Sequence, residues 1–167
     1  MQPGVVVFAI GNRSRGDDAI GPLLLERLAS WLAAEAQAGG FALIEDYQLQ
    51  IEHALDLKGR RLALFIDAGW GTPAPLVFHA LGAAPAAAAS TTHALSPQAV
   101  LEVYRTIECL EPPPSFVLCV RGERFELGEG LSPPAAAHME AAWQHLARLC
   151  SAPEEQRWRA MISSKTD

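Results

Sequence analysis

Cysteine is scarce in this chain: Cys109, Cys119 and Cys150 stand far apart and form no C-x-x-C pair. Their odd number and wide spacing exclude a disulfide framework and a thiolate zinc site, and fit a reducing cytoplasm. Long apolar runs are missing too. No uninterrupted stretch approaches the roughly 20 residues that span a bilayer, and no basic segment followed by an apolar one opens the chain, so a cytoplasmic protein with no membrane partner is expected. Positive charge is in the minority, with 13 Lys and Arg against 19 Asp and Glu for a net charge of −6. Without a basic cluster, nucleic acid is not an expected partner either. The chain also lacks a G-x-S-x-G nucleophile elbow, a G-x-G-x-x-G dinucleotide turn and the Lys-Ser/Thr that completes a phosphate loop.

What is present is apolar in half of its 167 residues, enough to bury one core without covalent staples. A single α/β domain over 1–150 is expected, followed by a polar, charged tail over 151–167 that reads as frayed. The run 5–10 is short, continuous and β-branched, as in a strand buried on both faces. Ile20, Leu23, Leu24, Leu28, Trp31 and Leu32 then recur at helical spacing, with Pro22 tolerated near the helix start and Gly39-Gly40 beyond its end. Further strands are expected over 41–47, 62–66, 76–79 and 116–120. Helices are expected over 50–57, from Ser96-Pro97, and from about Pro134 to Cys150. The Ala/Pro-rich stretch 81–90 reads as a loop. Alternating strands and helices favour a mostly parallel twisted sheet of about five strands with helices on both faces.

In such sheets, chemistry collects outside the carboxyl ends of the strands. Three segments lead there. The first is Gly11-Asn12-Arg13-Ser14-Arg15-Gly16-Asp17-Asp18-Ala19-Ile20-Gly21, a glycine-bracketed loop with adjacent acids after the first strand. The second is Asp67, where the strand 62–66 runs out, and the third is Thr91-Thr92-His93, just ahead of the helix start at Ser96. An Asp at a strand-to-helix turn commonly caps the helix. One of Asp17 and Asp18 is therefore expected to cap or hold the loop while the other, Asp18, projects into the crevice. Asp67 could equally accept N–H bonds from its own turn. His53, His79, His138 and His145 read as structural or exposed, and Cys119 as a core thiol. Arg13, Arg15 and Arg121 are candidate contacts for a partner, although exposed arginines are mostly solvated charges. Asp18, Asp67 and His93 together form an O/O/N set suited to a borderline divalent ion, with coordination positions left open.

In this order and spacing, the motifs resemble those of the nickel-iron hydrogenase maturation proteases, the endopeptidases that trim the C-terminus of the hydrogenase large subunit. The resemblance runs from about residue 5 to 149 and includes Gly130-Leu131-Ser132-Pro133 ahead of the last helix. It implies an aspartic-type peptide hydrolase whose metal-contacting residues are Asp18, Asp67 and His93. It also implies a nickel ion presented by the large-subunit precursor and not permanently held. Recognition of that nickel acts as a checkpoint before the cut. Two departures stand out: Asp18 replaces the longer Glu of some members, and the segment 45–53 replaces a Gly-rich stretch that helps choose the partner. Hydrolysis could be metal-assisted or driven by the carboxylates directly. A monomer is expected. The rival readings are a nickel metallochaperone that does not cut and a small-molecule α/β hydrolase.

Overall fold

Six buried residues in a row, Val5–Ile10, form β1, an interior strand of the sheet, with every position shielded from water. The computed structural model describes residues 2–82 and 95–163. The strands are β1 (Val5–Ile10), β2 (Phe41–Asp46), β3 (Leu62–Trp70), β4 (Leu76–Ala80) and β5 (Ser115–Gly122). They lie in the order β2-β1-β3-β5-β4. All pairs are parallel except β4 on β5, so the sheet is mostly parallel with one antiparallel edge. The helices are α1 (Ile20–Ala34), α2 (Pro97–Glu108), α3 (Pro133–Ser151) and α4 (Glu155–Ala160).

The two-residue alternation of a strand divides the core. Val5, Val7 and Ala9 pack with Leu62, Leu64 and Ile66 beneath α1 and α3. Val6, Phe8 and Ile10 pack on the other face with Ala63 and Phe65, under α2 and a 3-10 helix at Ile51–Leu57. Both faces are covered, which is why the central strands read as continuous apolar runs. One residue of α1 sets how close it comes. A Cβ on Gly21 would stand 2.8 Å from the Ile10 carbonyl oxygen and 3.2 Å from that of Ile66, so this glycine lets α1 press against the ends of β1 and β3. Pro22 follows within the first turn, where its missing N–H costs nothing.

Three local expectations are corrected. Neither Asp17 nor Asp18 caps α1; a 3-10 turn, Gly16–Ala19, precedes the helix and Ala19 occupies the cap position without a side-chain bond. The helix expected over 50–57 is a 3-10 helix. The described part of the segment after Cys150, residues 151–163, is not a frayed end, since Trp158 of α4 is completely buried. Its Nε1 donates to the Leu149 carbonyl at 2.9 Å and its ring meets Phe116 edge-on at 5.3 Å. Beyond α4, the Ser163 N–H donates to the Phe78 carbonyl at 2.9 Å and the Phe78 N–H to Ser163 Oγ at 2.9 Å, which occupies part of the open edge of β4. Composition missed this because one tryptophan anchors an otherwise polar segment. Ser96 and Ser132 cap α2 and α3 with their side chains, each followed by proline. No described helix is long and apolar enough to cross a membrane.

Candidate active site

From β1 the chain passes to β2 on one side and then to β3 on the other, so the crevice outside their carboxyl ends is a topological switch point. A cleft of about 370 Å³ opens there. Asp18 and Asp67 both line it, with Ile10, Phe65, Ile66, Val117 and Cys119 from the strands, Tyr47, Gln48 and Leu49 after β2, and Leu95, Ser96 and Pro97 at the start of α2. Two of the three candidate residues, Asp18 and Asp67, thus line the same cleft. His93 lies outside the described residues; the chain is described again from Leu95, two residues on, at the cleft wall.

The loop that delivers Asp18 is held by its own polar groups. Gly11 has φ of 153°, and a Cβ there would lie 2.0 Å from the Asp18 carbonyl oxygen, so only glycine lets the loop fold back on itself. Asn12 Oδ1 accepts the Ser14 N–H at 2.8 Å, and the Asn12 N–H donates to Asp18 Oδ2 at 2.7 Å. That bond aims the Asp18 carboxylate. Burial raises the affinity of Asp18 for its proton above the usual carboxylate range, against the opposing pull of the Asn12 N–H and of Arg15.

Asp67 is placed by β3, on the same face as Phe65, and its Oδ1 accepts the Ala68 N–H at 2.8 Å. Burial pushes its pKa up to about 7; the Ala68 N–H opposes this and the negative charge of Asp18 adds to it. The two acids thus feel each other across the cleft, and at neutral pH Asp67 is divided between its acid and base forms. A carboxyl in that condition suits proton transfer at physiological pH, and a cation at the cleft would release its proton.

Asp17 has a different task, performed through partners that the sequence did not disclose. It is completely buried. Its Oδ2 accepts the N–H groups of Glu123 at 2.7 Å and Arg124 at 2.9 Å and the Ser132 hydroxyl at 2.7 Å, while Oδ1 accepts the Ser132 N–H at 2.7 Å. Burial alone would raise its pKa, but the bonds from Ser132, Arg124 and Glu123 outweigh it and hold the carboxyl below its ordinary value. Asp17 ties the acidic turn to the β5–α3 connection and leaves Asp18 to face the cleft. The division of labour expected for the pair holds; the partners, more than 100 residues away, have no local signal.

Cys119 is half-buried and pairs in register with Asp67, so it lines the cleft and is not only a core thiol. Its Sγ lies 3.2 Å from Thr72 Oγ1. Burial pushes the thiol pKa up, and the Asp67 charge adds to this against the Thr72 bond, which keeps it protonated and unsuited to nucleophilic attack. Arg13 is engaged by Glu26 and Glu45 at 2.7 and 2.6 Å, and Arg121 by Glu123 at 2.8 Å. His53 is buried, His138 Nδ1 lies 3.2 Å from the Arg121 carbonyl, and His145 Nε2 is buried without a hydrogen-bond partner among the described residues. Among the described residues no group of three His, Cys, Asp or Glu side chains could hold a metal ion. The two cleft carboxylates are hard oxygen donors that fit the edge of a divalent ion's coordination shell.

No family model matches the chain, and no curated protein does. Solved structures do. The hydrogenase maturating endopeptidase HybD from E. coli is 23% identical, with a TM-score of 0.66, 89% of this chain covered and 93% of that one. The nickel-iron hydrogenase maturation protease HycI from Thermococcus kodakarensis is 19% identical, with a TM-score of 0.67 and coverage of 88% and 92%. The hydrogenase 2 maturation peptidase from a Thaumarchaeota archaeon is 20% identical, with a TM-score of 0.59 and coverage of 90% and 99%. The chain is built, nearly end to end, on the fold of the hydrogenase maturation proteases.

Proposed function

We propose that this protein is an endopeptidase that removes the C-terminal peptide of a nickel-iron hydrogenase large-subunit precursor once nickel has been inserted. The observation that carries the reading is the pair Asp18 and Asp67, set in one cleft at the switch point of a fold shared with maturation proteases. Asp67, with a pKa of about 7, takes a proton from the water that attacks the scissile carbonyl and returns one to the departing amine as the C–N bond breaks. Asp18 keeps the local field negative, so Asp67 remains a competent base near neutrality.

Nickel belongs to the substrate. The precursor presents it, and Asp18, Asp67 and His93 contact it, which docks the scissile bond at the cleft. Carboxylate and imidazole donors suit nickel and leave positions open for water. Such an ion would draw Asp67 into its ionised form and couple docking to the base form needed for attack. His93 completes this set by its place just ahead of Leu95 at the cleft wall. The three scattered thiols fit work in a reducing cytoplasm.

Intact mass spectrometry of a large-subunit precursor, nickel-loaded or nickel-free, with a catalytic amount of this protein tests the reading. Loss of a discrete C-terminal peptide from the loaded form alone is the expected result. Stoichiometric binding of the loaded precursor without any mass change would replace the protease with a metallochaperone.

A further inference from the structure

His53 sits outside the chemistry yet ties together the ends of one cleft wall. It is 6% exposed, on the 3-10 helix after β2. Its Nδ1 accepts the Gln50 N–H at 2.8 Å, its Nε2 stands 3.3 Å from Asp46 Oδ2, and its ring meets Phe8 edge-on at 5.7 Å. With Nδ1 turned to the Gln50 N–H, the opposite ring nitrogen faces the Asp46 carboxylate. Asp46 in turn ends β2, with its carbonyl accepting the Gly11 N–H at 3.0 Å and its Oδ1 accepting the Tyr47 N–H at 2.7 Å. One imidazole therefore spans Asp46 and Gln50. Between these ties run Tyr47, Gln48 and Leu49, which line the cleft that holds Asp18 and Asp67.

We propose that His53 is a positioning residue that holds the 47–49 wall in the shape that receives the substrate peptide. The proposal rests on the endopeptidase reading above. Tyr47 is 73% exposed, so packing does little to fix it, and the path of this wall is set by the bonds at its ends and by the buried Leu49. The two acids are aimed by other groups, Asp18 by the Asn12 N–H and Asp67 by the Ala68 N–H. Releasing the wall therefore weakens substrate capture and leaves the reacting carboxylates in place. An effect on KM, separated from kcat, is the signature.

Steady-state cleavage of a nickel-loaded precursor by wild type, His53→Ala and His53→Asn tests this, alongside amide hydrogen exchange of the same proteins without substrate. His53→Ala should raise KM about tenfold, the loss expected for one hydrogen bond at a buried site, with kcat within about twofold of wild type. His53→Asn, whose side-chain carbonyl can still accept the Gln50 N–H, should recover most of that loss. The Gln50 amide should exchange about tenfold faster in His53→Ala, with the amides of β1 unchanged. An unchanged KM, or a fall in kcat as large as the rise in KM, overturns the proposal. If His53→Ala does not fold, Asp46→Ala, which removes the carboxylate facing Nε2, carries the test, with a raised KM and faster Gln50 exchange expected and wild-type values of both overturning it. Exchange separates the two failures. Equal Gln50 exchange in variant and wild type overturns the clasp whether or not the precursor is cut. A wild-type protein that shows the clasp but cuts no loaded precursor overturns the endopeptidase reading and, with it, the role in substrate capture.

Discussion

Ser132 gives Asp17 both of its donors, the N–H to Oδ1 and the hydroxyl to Oδ2, each at 2.7 Å, across 115 residues of sequence. The same hydroxyl accepts the Ala135 N–H at 3.3 Å and so caps α3. One contact thus fixes the start of α3, the acidic turn and the orientation of the neighbouring Asp18.

Replacing Asp17 by Ala should therefore unsettle the whole site. It strands three N–H donors, that of Ser132 buried and those of Glu123 and Arg124 partly so, together with the buried Ser132 hydroxyl, and a loss of about 3 kcal/mol is expected, the upper end for leaving buried donors unsatisfied. Urea denaturation at pH 7 measures it. The pH dependence has a definite sign. Because the folded-state pKa lies below the unfolded value of about 3.9, the wild-type advantage over Asp17→Asn is fully present above that value. It is lost as pH falls through the folded pKa.

Asp67 should behave in the opposite way. Its folded pKa of about 7 lies above the unfolded value, so the native state binds more protons between about pH 4 and 7, and stability falls as pH rises through that window. Asp67→Asn removes this term. Its melting temperature should exceed that of wild type at pH 8, with the gap narrowing steadily as pH falls toward about 4; a gap that does not change with pH would count against a raised Asp67 pKa.

The two acids should also be coupled. Since the Asp18 charge raises the Asp67 pKa, Asp18→Asn should move the Asp67 titration to lower pH. Side-chain carboxyl carbon shifts followed by NMR report this directly, and an unmoved midpoint would show that the acids do not sense one another.

Trp158 anchors the last segment of the described chain. Trp158→Ala should cost about 3–5 kcal/mol, as for other fully buried aromatics, and expose the face of Phe116 it covers. Chemical denaturation gives the loss; a change below about 1 kcal/mol would mean that α4 contributes little to the core.

The fold was legible because β1 and the first five residues of β3 are buried and announce themselves as unbroken apolar runs, and because Ser96-Pro97 and Ser132-Pro133 mark helix starts by chemistry that acts within one turn. Asp18 and Asp67 were legible as acids following apolar strands, although β3 does not run out at residue 66 as expected but continues to Trp70, so Asp67 lies within the strand and Asp18 in the turn after β1. What escaped were relationships across distance. Asp17 looked like a helix cap because its partners are reached only after β5 is in place. Cys119 looked like core because alternation along a buried strand does not reveal which residue stands at the open end. The 3-10 helix at Ile51–Leu57 has apolar spacing close to that of an α-helix, and the bonds of His53 to Gln50 and Asp46, which help set its start, depend on β2 beside it.

The central claim is that Asp18 and Asp67 work together in one peptide-cutting cleft. Turnover of a nickel-loaded large-subunit precursor by wild type, Asp18→Asn and Asp67→Asn, each checked for an intact fold by its unfolding transition, tests it most directly. The account predicts that either substitution lowers kcat at least about 100-fold, the scale of losing a positioned acid–base group, while the protein stays folded. Folded variants that cut the precursor at the wild-type rate would contradict it.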